Sequence, residues 1–347
     1  METVEKPKKK KTLKILLIIA AVLLVIFAGI CIAFNHIYGY SIFIRDDDVE
    51  MNYEIVSAEN ALMQGYEGEW TDNIDLSEIK KISKEEAAGT YNMLLIGADA
   101  RKEGSYGNSD SIILVTVNHD VKKIFLTSFM RDLYSEIPDF GIAKLNISHA
   151  IGGGPLLVQT LQDTYGVVID NYARVDFNAM CKIINLLGGI DIEISDEEAE
   201  AANKPIAEMC KMQGKKFKKF KLEKGGYLHL NGIQAVGYSR VRKVGNSDYE
   251  RTNRQRKVLT LLFDKIKELK FREMSELLHQ MLPMIAHNVD QLTIVKLIAD
   301  IPDMIQYEIV TDRIPYDGMY HSQNELLVPD MEATVEKLHS TIYIKTN

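Results

Sequence analysis

The chain has 347 residues, room for one large domain with attachments or two small ones, and it is acidic, with 41 Lys and Arg against 49 Asp and Glu and a formal net charge of −8. Six lysines and two glutamates fall in the first fourteen residues, so the remainder is more acidic than the whole. Phosphate-backbone binding needs a broad positive field, which argues against a nucleic-acid partner.

Lys6 and Lys8–Lys11 precede Ile15–Phe34, twenty residues without a charge or a strongly polar side chain. At ~1.5 Å rise per residue such a helix covers the roughly 30 Å hydrocarbon core of a bilayer. The sequence therefore predicts a basic cytoplasmic tail (1–14), one transmembrane anchor (15–34) and everything after it outside a cell membrane, because the lysines stay inside. A cleaved signal peptide would have a shorter apolar run ending in a small-x-small site, and Gly29–Phe34 offers none. Of three cysteines, Cys31 lies in this run, while Cys181 and Cys210 are open to either a disulfide or two buried thiols. No Cys/His spacing suggests zinc.

Residues 35–90 read as a polar extracellular linker or accessory segment, with Asp46-Asp47-Asp48 and helical hints at Ala58–Met63 and Lys84–Ala88. From Tyr91 the texture changes. Met93–Gly97, Ile112–Val117 and Ile124–Phe129 are apolar β-type runs. Leu156–Tyr165, opened by Gly152-Gly153-Gly154 and Pro155, and Asn178–Leu187 are amphipathic helices, with strands at Tyr172–Phe177 and Ile190–Ile194. Asp196–Asn203 is expected to be helical, Lys215–Lys224 is a basic stretch, and Val236–Ser239 reads as a short strand. Helices are expected over Arg251–Leu269, Glu273–His287 and Gln291–Ile301. This alternation predicts a single exported α/β domain over 91–305, a mixed central sheet flanked by helices. Its C-terminal extension (306–347) shows strand-like pieces at Tyr307–Val310 and Thr341–Ile344 and a helix near Asp330–Leu338.

Chemistry concentrates in Val236–Val258, where five arginines fall within seventeen residues. On the expected strand Arg240 and Arg242 project from one face. Gly245-Asn246-Ser247 breaks it, Asp248 can cap the following helix, and Arg251, Arg254, Gln255 and Val258 form one stripe. Guanidinium is permanently charged and matches phosphate oxygens two at a time. The plain reading is a solvated basic surface, which an otherwise acidic chain makes less apt. Three strand ends add charge: Asp99 and Arg101 after Met93–Gly97, Asn108-Ser109-Asp110 before Ile112, and Arg131-Asp132 after Phe129. Charges at strand ends of an α/β sheet are where ligands bind. Asp99 and Asp110 suit one hard divalent cation, Mg²⁺ or Mn²⁺, which takes one or two carboxylates and leaves its other positions to water and phosphate. Arginine cannot act as a base, so proton chemistry falls to Asp or a bound water. Lys144, Asn146 and His149 follow in what reads as a loop before the triple glycine.

Taken in order, GADAR (Gly97–Arg101), NSD (Asn108–Asp110), SFMRD (Ser128–Asp132), KLN (Lys144–Asn146) and YSRVRKVGNSDYERTNRQRKV (Tyr238–Val258) resemble the successive signatures of the LytR-CpsA-Psr family, from about Tyr91 to Ile301. The resemblance implies an envelope transferase moving a glycopolymer, teichoic acid or capsule, from a polyprenyl-pyrophosphate carrier to a peptidoglycan hydroxyl. It implies Mg²⁺ on Asp99 and Asp110, with Arg101, Arg131, Arg240 and Arg242 gripping phosphate oxygens and Gln255 adding a contact. Asp248, Arg251 and Arg254 would shape the site, and the lipid tail would lie in an apolar tunnel; from their position alone, Lys144, Asn146 and His149 either add donors or simply cap the helix after them. Asp132 or Asp99 would accept the proton. The chain departs from the family pattern at Asn108 (Arg is usual), Met130 (Pro) and Leu133 (Thr). A polyprenyl-pyrophosphate phosphatase and a non-catalytic scaffold binding lipid-linked polymer are the alternatives.

Overall fold

The computed structural model describes residues 39, 41–52, 74–99, 105–323 and 325–346. The expected tail and anchor, the Ala58–Met63 helix and Arg101 lie outside the described residues. Among those described, no helix is long and apolar enough to cross a membrane.

The chain forms β1 (Ile42–Phe43), β2 (Thr90–Asp99), β3 (Asn108–Asn118), β4 (Lys123–Phe129) and the hairpin β5 (Tyr134–Ile137) and β6 (Gly141–Lys144). Helix α1 (Leu145–Tyr165), β7 (Asn171–Asp176), α2 (Phe177–Leu186), β8 (Ile190–Ile194), α3 (Asp196–Met212), β9 (Gly226–Leu230) and α4 (Gly232–Ser239) follow. Then come α5 (Ser247–Lys267), α6 (Phe271–Met281), β10 (Ala286–His287), α7 (Gln291–Met304), β11 (Glu308–Ile314), the hairpin β12 (Tyr320–Gln323) and β13 (Leu326–Pro329), and α8 (Met331–Ile342).

Seven strands form the central sheet in the order β1-β10-β7-β2-β3-β4-β11. β2 runs parallel to β7 and β4 parallel to β11, with β3 antiparallel between β2 and β4. The sheet is therefore mixed, as expected, and the carboxyl ends of β2, β4, β7 and β11 lie along one edge beside the start of β3. Alternation sends Leu94, Ile96, Ile112 and Leu114 to one face, where Leu157, Leu161 and Tyr165 of α1 and Val335 and Leu338 of α8 bury them. The other face presents Ile113, Val115 and Leu126 to Leu259 and Phe263 of α5. A second core joins α2, β8, α3, β9 and α4, and Val258 and Leu262 of α5 enter it. Helix α5 thus carries two adjacent i, i+4 stripes, one into each core. Truncating a residue such as Leu94, fully buried, costs roughly 2–5 kcal/mol by this logic.

Several expectations need correction. Val236–Ser239 is the end of helix α4, not a strand. Asn231 caps it, accepting from Ile233 and Gln234 N–H while the Gln234 side chain returns to the Asn231 N–H, a capping box that outweighs the β-type residues. Lys144 is the N-cap of α1 and Leu145–His149 its first turns, rather than a loop, although backbone angles at Gly152 and Gly153 break the helix just before the expected Leu156 segment. Glu273–His287 does not stay helical, because Pro283 follows the end of α6 and 286–287 join the sheet. Thr341 and Ile342 end helix α8 and Tyr343 is its C-cap, in place of the strand expected over Thr341–Ile344. Parts of the 35–90 segment, expected as a linker or accessory segment, join the domain: β1 pairs with β10, and Ile74, Leu76 and Ile79 pack on the main core.

Candidate active site

The site begins as a fault in the β2–β3 ladder. Gly97 faces Ser111 and Ala98 faces Ser109, which leaves Asp110 as the extra residue of a β-bulge. Bulges re-aim side chains, and this one turns a carboxylate toward the sheet edge. Asp99 ends β2 opposite Asn108, and alternation with Leu95 puts it on the α5 side. One strand over, β4 ends at Phe129, and Arg131 and Asp132 follow in the turn. Their backbone is pinned because Asn146 N–H of α1 donates to the Arg131 carbonyl at 3.1 Å and Leu327 N–H of β13 to that of Asp132 at 2.8 Å.

Arg131 is the hub. Its Nη1 donates to Asp110 Oδ1 at 3.0 Å, and its Nε reaches Asp248 Oδ2 at 3.2 Å and Asp132 Oδ2 at 3.3 Å. Arg242, from the loop between α4 and α5, lies 3.5 Å from both Asp110 and Asp248, and Arg251 lies 3.3 Å from Asp248. Gln255 Nε2 donates to the Asp110 carbonyl at 3.3 Å. Lys144 bridges Asp132 at 3.7 Å and Glu325, at the β12–β13 turn, at 3.0 Å. Three guanidiniums and three carboxylates, drawn from β3, the β4 turn, the α4–α5 loop and the first turns of α5, are thus interlocked at the sheet's carboxyl edge.

Electrostatics separate these groups. Burial works against charge on Asp248, but Arg251, Arg131 and Arg242 outweigh it and hold its carboxyl below the usual range. Asp132 is raised, chiefly by burial, with Asp248 adding to the effect against Arg131 and Lys144. Burial opposes charge on Arg131 too, yet Asp132, Asp248 and Asp110 keep it more firmly protonated than usual. Arg251 is the exception. Its side chain is 2% exposed, its ordinary value is pushed down to about 10 by burial, and none of its three guanidinium nitrogens has a hydrogen-bond partner. Its anionic neighbour is Asp248, a carboxylate that it shares with Arg131 and Arg242, so positive charge is in local excess around it.

Two expected arginines are placed differently. Arg240 caps α4 and turns to Glu208 at 3.2 Å, with its guanidinium 4.5 Å above the Phe177 ring, rather than joining Arg242 on one face. Arg254 is buried and spends its donors on Glu198 and the carbonyls of Val241 and Val244, which fixes the loop carrying Arg242. Asn146 acts through its backbone on Arg131, while its side-chain Oδ1 is buried without a partner. His149 is buried, its Nδ1 bound to the Gly107 carbonyl, and burial lowers it to about 4, so it stays neutral. Cys181 and Cys210 are both free and buried. The sequence reading missed Glu198 and Glu325. Neither sits in a recognisable pattern, and only the fold brings each to its cation.

The LytR_cpsA_psr family profile matches residues 57–341. Regulatory protein MsrR of Staphylococcus aureus is 33% identical over 174 residues, 50% of this chain and 48% of that protein. The Bacillus subtilis polyisoprenyl-teichoic acid–peptidoglycan teichoic acid transferase TagT is 32% identical over 184 residues, 52% of this chain and 54% of its own. The chain thus spans about half the length of the curated relatives it matches. A solved structure of TagT with bound octaprenyl pyrophosphate lipid has the same fold, with a TM-score of 0.54 at 22% identity, covering 79% of this chain and 98% of that one. With the profile spanning most of its length, the chain belongs to the LytR_cpsA_psr family.

Proposed function

We propose that this protein is a glycopolymer transferase acting at the outer face of a cell membrane, held there by Ile15–Phe34. Its donor is a polyprenyl-pyrophosphate-linked glycopolymer and its acceptor a peptidoglycan hydroxyl. The observation that carries this reading is three guanidiniums, Arg131, Arg242 and the buried Arg251, gathered on the two carboxylates Asp110 and Asp248. Such a cluster suits a pyrophosphate, whose oxygens offer several acceptors at once. The names of the TagT relative and of the lipid-bound TagT structure agree with that donor.

Phosphoryl transfer asks a protein for positioning and charge stabilisation more than covalent help. Arg131, Arg242 and Arg251 hold the phosphate oxygens, releasing part of their grip on Asp110 and Asp248. The acceptor oxygen attacks the phosphorus bearing the glycopolymer, the bond to the departing polyprenyl phosphate breaks, and the hydroxyl proton passes to Asp132. Its raised carboxyl suits a base more than that of Asp248, which the arginines hold ionised and less basic. Arg240 and Arg254 act behind this layer. Asp99 and Asp110 fit a divalent Mg²⁺ in kind, as hard carboxylates on paired strands, Asp110 being turned out by the bulge. Among the described residues no group of three or more His, Cys, Asp or Glu side chains forms a metal cage, so phosphate oxygens and water would complete the coordination. A bound ion there would neutralise charge on the pyrophosphate.

The test is transfer by the purified full chain from a short lipid-linked donor, with and without a peptidoglycan acceptor. Arg242→Ala, whose side chain is 42% exposed, should lose transfer at least about a hundredfold, the cost of one oxyanion-stabilising donor, and keep its melting temperature. Full activity of this variant refutes the site. Release of the polymer phosphate at the same rate without acceptor makes the enzyme a phosphatase instead.

A further inference from the structure

Helix α7 is the anomaly of the surface. Other surface helices turn charge outward: α3 exposes Glu197, Glu200, Lys204 and Glu208, and α8 exposes Glu332, Glu336 and Lys337. Helix α7 exposes Leu292, Val295, Ile298, Ala299 and Pro302, and none of its fourteen residues is buried. Leu292 is 74% exposed, the most of any large hydrophobic in this stripe, and Val295 follows at 48%. The only charges exposed on α7, Lys296 and Asp303, lie at one margin of the face and are opposite in sign. Leu292, Val295, Ala299 and Pro302 recur at i, i+3 and i+4 intervals, so they share one side. A stripe like this, unbroken by charge at its centre, marks an interaction surface.

A second exposed apolar group lies on β1, whose partner strand β10 leads into α7. Ile42 and Phe43 of β1 are 48% and 42% exposed, and Phe43 pairs in register with His287, four residues before α7 begins. Backbone and side chains tie β1 to the segment leading into α7, since Ile44 N–H donates to the His287 carbonyl at 2.8 Å and Asn288 donates to Asp46 at 3.2 Å. Only seven residues, 35–41, separate β1 from the end of the apolar run Ile15–Phe34. Even fully extended, the eight steps from Phe34 to Ile42 reach no more than roughly 26 Å at ~3.3 Å per residue.

We infer that the outer face of α7, with Ile42 and Phe43 of β1, rests in the interfacial layer of a lipid bilayer. The bilayer is the occupant on the reading that Ile15–Phe34 is the membrane anchor: the tether is then short and enters at β1, the edge strand paired with β10 just before α7. The face has the character of an interfacial helix, with apolar side chains toward the acyl boundary and charge at its margin. Its consequence is orientation. The domain lies on the membrane by a fixed side instead of swinging on its tether, and lipid-borne ligands meet it at a constant height.

The test uses the full chain reconstituted in phosphatidylcholine–phosphatidylglycerol vesicles, with its one tryptophan removed (Trp70→Phe) and single reporters introduced at Val295→Trp or Phe43→Trp. Tyr227→Trp on β9, 73% exposed and in the other core's hairpin, is the control. Lipids brominated near the carbonyl end of the acyl chain should quench both reporters about twofold or more beyond the control, as expected of side chains roughly 5–10 Å into the boundary layer. Bromine near the methyl end should quench them less. Adding Leu292→Asp and Ile298→Asp should bring the Val295→Trp signal down to the control while the chain stays with the vesicles. Quenching at Val295→Trp and Phe43→Trp no stronger than at Tyr227→Trp overturns the proposal. So does a Val295→Trp reporter shielded from lipid bromine and aqueous acrylamide alike, which would mean a second copy covers α7. Neither outcome depends on whether the protein transfers a glycopolymer.

Discussion

Asp132 and Asp248 both face the Nε of Arg131, yet they shift in opposite directions, Asp132 up through burial and Asp248 down because three arginines outweigh burial. The signs have separate consequences. Asp248, held below its ordinary value of 3.8, stabilises the fold above that value, and the contribution is lost as pH falls through its lower folded value. Asp132, raised above 3.8, favours the fold while protonated below that value, and this is lost as pH rises through its folded value. If Asp132 takes the acceptor proton, the acid limb of a transfer-rate profile should lie above the ordinary aspartate range, and Asp132→Asn should abolish the rate at every pH. A limb at the ordinary aspartate value would count against that role. Arg254 makes the contrasting case. Removing it strands Glu198 and two loop carbonyls, so Arg254→Ala should cost about 3 kcal/mol in calorimetric stability, whereas Arg242→Ala should cost activity and little else. The sequence marked both arginines, but the stripe Arg251, Arg254, Gln255 reads as one face only until α3 packs against it and takes Arg254 for itself.

Among the elements, the triple glycine has the most specific physical reason. Gly153 adopts φ +60° and ψ −150°, a region nearly closed to side-chain-bearing residues, and a Cβ on Gly154 would meet the Tyr172 ring at 2.3 Å. The break lets the first turns of α1 reach the β4 turn, where Asn146 fixes Arg131, while the rest of α1 covers the sheet. Gly153→Ala should therefore cost roughly 1–3 kcal/mol by denaturant unfolding, and Gly154→Ala at least as much. Transfer should fall with them if α1 sets the position of Arg131. The triple glycine was visible in the sequence as the start of a helix. That a helix also precedes it was not, because Leu145–Ile151 sets Asn146, Ser148 and His149 among its apolar residues with no helical period, and all seven are buried.

For the molecule as a whole, the tail beyond 305 is part of the frame. β11 pairs along its full length with β4, α8 closes the main core, and the β12–β13 hairpin brings Glu325 to Lys144 and Leu327 to Asp132. A chain ending at Gln306 should not fold: circular dichroism and sedimentation should report an aggregated or unfolded product, and a soluble, cooperatively melting one would contradict this account. The α/β class, most strands of the central sheet and the order of the charged motifs followed from the sequence alone, because period-2 and period-3.6 patterns and strand-end charges are local properties of the chain. Tertiary structure decided which arginines meet which acids. Arg131, Arg242 and Arg251 gather round Asp110 and Asp248 only because a one-residue bulge turns Asp110, a capping box makes Val236–Ser239 a helix, and α5 packs into two cores at once. Those are properties of long-range packing, which no window of residues contains.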